Sequence, residues 1–165
     1  MKILTSLFCL VLMCCLAIIQ QSLLQNLLFN QWSLNLVLIA VFFLSSQENK
    51  GRLGFLAGFW GGFFLDFFSA GPWGLLTVSL TITALITNRF SRLIQKNSLL
   101  ALWPLFLVSF LTYQLASLAI LIFLGEFYFR FRIFFTALAA NLAAISLFFA
   151  LLQALGKNRH RYDYF

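Results

Sequence analysis

Acid–base, nucleophilic and metal chemistry have few residues to draw on here: four acids, one histidine and three cysteines among 165 residues. Glu48, Asp66, Glu126 and Asp163 are scattered, and only Asp66 lies inside an apolar run. An intramembrane aspartyl peptidase needs two carboxyl groups near enough to share a proton. Asp163 sits in a basic tail, across the membrane from Asp66 in the topology derived below. A serine peptidase needs a histidine beside its nucleophile, and His160 stands in that tail between Arg159 and Arg161. Cys9, Cys14 and Cys15 share the first apolar run without the spacing or histidine neighbours of a metal site. They read as small residues of a membrane helix. The inventory predicts a protein that is not an enzyme and holds no metal and no cofactor.

Asp66 is the residue that asks for an explanation. A carboxylate at the centre of a membrane helix costs on the order of 2.5–3.5 kcal/mol, less near an interface, so it normally faces protein or water and has a role. Two readings stand side by side. Asp66 is a partner-facing or gating acid, or it caps the turn that follows, where Ser69, Gly71 and Gly74 supply free backbone groups. Both require hydrogen-bond donors. The segment that carries it is rich in glycine: at about 100° per residue, Gly51, Gly54, Gly58, Gly61 and Gly62 fall within roughly 100° of one another, and Trp60 projects to the other side. A face without side chains lets a second helix approach closely, so that van der Waals packing replaces the hydrophobic drive absent in lipid. Gly71-Pro72-Trp73-Gly74 then forms a tight outer turn, with glycine allowing unusual dihedrals, proline fixing its φ and tryptophan suited to headgroup level. The expectation is a helical hairpin.

The elements that position these residues follow from composition. Hydrophobic residues make up 62% of the chain and charged residues 9%, with a mean hydropathy of +0.97, against roughly 25% charged in soluble domains. No soluble fold of this size hides so much apolar surface. About 20 apolar residues cross one hydrocarbon core, so the expected fold is a single all-α integral membrane domain over 1–165 with about six spans. These are drawn at 3–20, 34–46, 53–68, 73–87, 99–124 and 133–155. The second span is short enough to be re-entrant, and if it and the third were one hairpin that never crossed, four crossings would be the alternative. The first run, from Ile3, also has the form of a secretory signal, with a lipoprotein-like box at Leu12-Met13-Cys14-Cys15. The residues before either cysteine are not the small pair such a box prefers, and the apolar character continues past both, so the run is read as a retained helix.

Charge sets the topology. With Lys2 in the cytoplasm and the ends alternating, the inside segments hold Lys2, Lys50, Arg52, Arg89, Arg92, Lys96, Lys157, Arg159 and Arg161, nine of the 11 basic residues. Only Arg130 and Arg132 fall outside. Basic residues in short loops resist translocation, so both termini are expected in the cytoplasm. The net charge of +7 is explained by this rule rather than by nucleic-acid binding. The polar stretch from Asn88 to Ser98 reads as a cytoplasmic loop. Its Arg89, Arg92 and Lys96, spaced three and four apart, act as topology determinants or line a face toward anionic headgroups.

The run from Gly54 to Gly74, a glycine-spaced helix, an aspartate, a serine and a short turn closing in a small residue and leucine, resembles the most recognisable segment of the rod shape-determining MreD family of the bacterial inner membrane. Asn35-Leu36-Val37-Leu38 is similar to that family's short second span, although Ser33 stands where a proline is expected. Length, span count, the basic loop before Leu99 and the basic tail extend the resemblance over nearly the whole chain. It implies a non-enzymatic membrane scaffold of the complex that elongates the lateral cell wall. The partners it implies are an MreC-like bitopic protein and, indirectly, an MreB-like filament, a RodA-type glycosyltransferase and a penicillin-binding transpeptidase. It also implies the six-helix fold of the substrate-binding subunits of energy-coupling-factor transporters, and with that a rival function: a small-molecule transporter subunit of vitamin type. Such a subunit needs polar groups around a cavity, for which Gln20, Gln21, Gln25, Asn26, Asn35, Asp66, Tyr113, Gln114 and Asn141 are candidates, with Glu126, Arg130 and Arg132 at the outer mouth. The other reading of the same residues is hydrogen bonding between helices, and for the mouth residues a solvated loop.

Overall fold

The computed structural model describes residues 2–24, 34–46, 51–69, 71–93, 102–125 and 134–147. Among the described residues there is no strand, and six helical segments follow one another: α1 Lys2–Ile19, extended by a π-helical turn Gln20–Leu24, α2 Leu36–Ser46, α3 Gly51–Phe68, α4 Leu75–Ser91 and α5 Leu102–Phe123, then α6 Phe134–Leu147. The chain is all-α.

Local signals explain the ends. The Asn35 side chain accepts from Leu38 N–H at 2.8 Å, the N-cap to N3 bond favoured for asparagine. Between α3 and α4, Leu75 N–H reaches Pro72 O at 3.3 Å, and Gly74 has φ +89° and ψ −13°, the geometry a type II turn demands of its third residue. Pro104 falls in the first turn of α5, where its missing N–H would be unpaired in any residue. The same helix closes on Gly125 at φ +76°, a left-handed C-terminal glycine.

Several bounds differ from the sequence expectation. The helix drawn to end at Thr87 continues to Ser91, so Asn88 to Ser91 are helix rather than loop; Ser91 Oγ bonds Asn88 O at 3.0 Å, and Arg89 and Arg92 suit the negative end of the helix dipole. The same helix starts at Leu75 rather than Trp73, because Trp73 and Gly74 are spent on the turn. Residues 99–101 and 148–155 of the last two expected spans lie outside the described residues.

Packing direction follows from named contacts. Gly61 of α3 meets Val37 and Met13, and Gly54 meets Ser45, so α2 runs antiparallel to α3 and α1 lies on the same side. Gly62 meets Leu76 and Thr77 while Gly58 meets Leu80 and Ala84, so α4 is also antiparallel to α3. Ser109 and Ser117 of α5 bond Thr87 and Ser79 of α4, which sets α5 antiparallel to α4. The buried apolar core is drawn from all six segments, from Cys9, Met13 and Ala17 of α1 to Ala137 and Ile145 of α6. Its largest members, Phe42 and Phe106, meet edge to face at 5.2 Å, an arrangement that the aromatic quadrupole favours.

Polarity is distributed unusually. Asp66, Ser79, Thr83, Thr87, Ser91, Ser109 and Asn141 are buried, whereas Phe8, Phe67, Trp73, Leu115, Phe123 and Phe135 are each more than half exposed. Two helical stretches, Thr5–Ser22 and Leu102–Phe123, are long and apolar enough to cross a hydrocarbon core; α2, α4 and α6 are apolar but shorter.

Candidate functional site

Asp66 occupies the last turn of α3 and is 2% exposed. Its Oδ1 accepts from Leu76 N–H and its Oδ2 from Thr77 N–H, both at 2.9 Å. Thr77 Oγ1 donates to Oδ2 at 2.5 Å. Leu76 and Thr77 are the second and third residues of α4, whose own cap residue, Gly74, has no side chain to offer. Asp66 therefore performs from the preceding helix what an N-cap aspartate performs locally, with its acceptor oxygens at the positive end of the α4 dipole. The donors are Leu76 and Thr77 where the sequence suggested Ser69, Gly71 and Gly74: the Ser69 hydroxyl instead donates to the Asp66 carbonyl at 3.4 Å, its N–H goes to Leu65 O at 2.9 Å, and Gly74 serves the turn.

The glycine face makes this capping possible. It divides into two stripes that serve different helices, where the sequence suggested a single partner. Gly54 and Gly61, seven residues apart, take α2 and α1; Gly58 and Gly62, four apart, take α4. A Cβ on Gly58 or Gly62 would stand 2.7 Å from the carbonyl oxygen of Leu80 or Leu76, too close for any side chain. The backbone of α4 thus lies directly on α3, one turn from Asp66. Gly51 opens α3; its surroundings lie outside the described residues.

The N-terminus of α2, at the same end of the bundle, is held in a related way. Besides the Asn35 cap, Gln20 Oε1 accepts from Val37 N–H at 3.1 Å and Asn141 Oδ1 from Asn35 N–H at 3.0 Å. Asn141 anchors itself by donating from Nδ2 to Ala137 O at 2.8 Å. The Tyr113 side chain lies near Asn35, Ser117 and Asp66, and its carbonyl accepts from Ser117 Oγ at 2.9 Å. Ser117 Oγ donates to Ser79 Oγ at 3.1 Å. Every helical segment contributes to this cluster: Gln20, Asn35, Asp66, Thr77 with Ser79, Tyr113 with Ser117, and Asn141.

No family model, curated protein or solved structure matches this chain. The reading of the cluster rests on its own geometry.

That geometry is one of consumption. The Asp66 oxygens and the Asn35, Asn141 and Gln20 side chains are engaged on helix ends, and the hydroxyls of Ser79, Thr83 and Ser109 also bond back to carbonyls one turn earlier. Among the described residues, the buried side-chain atoms without a partner are Ser45 Oγ and Asn88 Oδ1, and neither belongs to the cluster. Of the polar residues singled out from sequence, the structure brings together Gln20, Asn35, Asp66, Tyr113 and Asn141. Gln25, Asn26, Glu126, Arg130 and Arg132 lie outside the described residues.

Sequence reasoning missed the seam between α4 and α5. Ser79 pairs with Ser117, and Thr87 with Ser109 at 2.7 Å, a register that sets Thr83 opposite Tyr113. The signal was present: Ser79, Thr83, Thr87 and Ser91 recur every four residues, as do Ser109, Tyr113 and Ser117, which places each set along one side of a helix.

Proposed function

We propose that this chain is a multi-pass protein of the bacterial inner membrane, crossing six times with both termini cytoplasmic, and that it works as a non-enzymatic scaffold of the MreD type in lateral cell-wall elongation. The observation that carries the scaffold reading is the consumed polar cluster: its buried acid and amides close helix ends against one another instead of lining a site. Membrane placement is supported by the apolar exterior and by the two stretches long enough to span. In lipid every backbone donor must find a partner inside the protein. Short helices that begin within the bundle, such as the 11-residue α2, need the side-chain caps observed here. The rod-shape assignment draws on the resemblance of Gly54 to Gly74, now with a physical sense for that segment: the glycines admit α4 and the aspartate caps it.

The scaffold would present its surface to an MreC-like bitopic protein, and through it to an MreB-like filament, a RodA-type glycosyltransferase and a penicillin-binding transpeptidase. Depletion of the chain tests this. Rod-shaped cells should become round while vitamin uptake stays unchanged; normal rods with loss of uptake of one small molecule would replace the scaffold by a transporter subunit.

A further inference from the structure

Every described arginine lies at the end of the bundle opposite Asp66. Arg52 stands in the first turn of α3, Arg89 in the last turn of α4 and Arg92 at its C-cap, and all three are exposed. The α3–α4 register sets them at one level of the bundle. Gly62 faces Leu76 and Thr77, and Gly58 faces Leu80 and Ala84; continued toward the start of α3, this sets Arg52 level with Asn88 and Arg89. Among the described residues no acid accompanies them, because Asp66 is at the other end. Phe55, Phe90 and Leu93 are exposed at the same end. Both unpartnered buried side-chain atoms are at this end as well: Asn88 Oδ1, one turn from Arg92, and Ser45 Oγ, packed on Gly54.

We propose that this end binds an anionic glycerophospholipid with a hydroxylated headgroup, of the phosphatidylglycerol class. The phosphate meets Arg52, Arg89 and Arg92, whose guanidinium groups suit phosphate geometry. The half-buried Asn88 side chain turns outward, so that its Oδ1, covered and without a donor in the bundle, accepts from a headgroup hydroxyl, and the acyl chains lie along Phe55, Phe90 and Leu93. The interleaving of arginine with large exposed apolar residues selects a lipid over a free anion, which would have no use for the apolar groups. The proposal rests on the membrane reading above and adds to it a specific partner.

The test uses the full chain reconstituted in phosphatidylcholine nanodiscs containing phosphatidylglycerol or phosphatidic acid, with retained lipid counted by native mass spectrometry. Wild type should retain phosphatidylglycerol preferentially, and the preference should weaken with salt. Each of R52Q, R89Q and R92Q should reduce it by about fivefold, the worth of one basic residue at an anionic surface. N88L should lower retention of phosphatidylglycerol while leaving that of phosphatidic acid, which has no headgroup hydroxyl. W73Q, at the opposite end, should change neither. A chain that inserts but retains phosphatidylcholine and phosphatidylglycerol equally overturns the proposal while sparing the membrane reading. Displacement of the lipid by inorganic phosphate overturns it in favour of a soluble anion. A chain released from membranes by carbonate overturns both readings.

Discussion

Asp66 accepts three hydrogen bonds from a helix to which it does not belong, and both carboxylate oxygens take part. Its value is therefore positional, and substitutions should rank by how many acceptors they keep. Asp66→Leu leaves the Leu76 and Thr77 N–H groups buried without partners, at about 1–3 kcal/mol for each. Asp66→Asn keeps one oxygen and turns an NH2 group toward the other donor, so it should fall between Leu and wild type. Thermal unfolding of the detergent-purified chain measures the order, and rod-shape complementation should follow it. A Leu variant that melts with wild type would show that the cap carries no weight. Asn141 and Gln20 act likewise on α2, but each supplies one acceptor, so a smaller loss is expected of either alone.

At the scale of the element, close approach of backbones is the organising contact. Substitution of Gly58 or Gly62 places a Cβ against a main-chain carbonyl that no rotamer change can move, so α3 and α4 must separate. Gly58→Leu and Gly62→Ala should each cost about 1–3 kcal/mol, the usual range for overpacking, and Gly62→Ala should also loosen the Asp66 cap. Phe59→Leu on the exposed side should be mild. Gly71→Ala should be close to neutral, since only Ser69 Oγ lies within reach at 3.7 Å. Melting temperatures of the four variants check the contrast; equal tolerance would place the glycine stripes outside the packing interface. The α4–α5 seam works differently, through hydroxyl pairs such as Thr87 with Ser109, and pairs of this kind average only about 0.6 kcal/mol in membrane proteins. Glycine contact sets how near the helices lie, and hydroxyls set their register.

At the scale of the whole molecule, the two ends differ in chemistry among the described residues: Arg52, Arg89 and Arg92 lie at one, and the caps and the exposed Trp73 at the other. The proposed topology makes this a difference between membrane faces. Single cysteines replacing Arg52 and Arg89 should be labelled from the cytoplasmic side by a membrane-impermeant thiol reagent, in a background with Cys9, Cys14 and Cys15 removed, and Trp73→Cys from the opposite side. Labelling of Arg52→Cys and Trp73→Cys from one side would remove the hairpin crossing. Reporter fusions after Ser98 and Lys157 should both behave as cytoplasmic.

The sequence by itself determined that the chain is helical, where the apolar runs lie, and that Asp66 and five glycines belong to one segment, because periodicity and composition are properties of neighbours along the chain. It also showed that Asp66 must find donors. It did not show which ones. The donors are backbone groups of Leu76 and Thr77, and a backbone N–H carries no residue signature that a sequence can display. The division of the glycines between α2 and α4 was hidden for a similar reason, since a helical projection gives a face but not the number of helices that meet it. The convergence of Gln20, Asn35, Tyr113 and Asn141 required the antiparallel register of separate helices. That register is decided by glycine contacts and hydroxyl pairs far apart in the chain, so only the tertiary structure could turn scattered polar residues into one cluster.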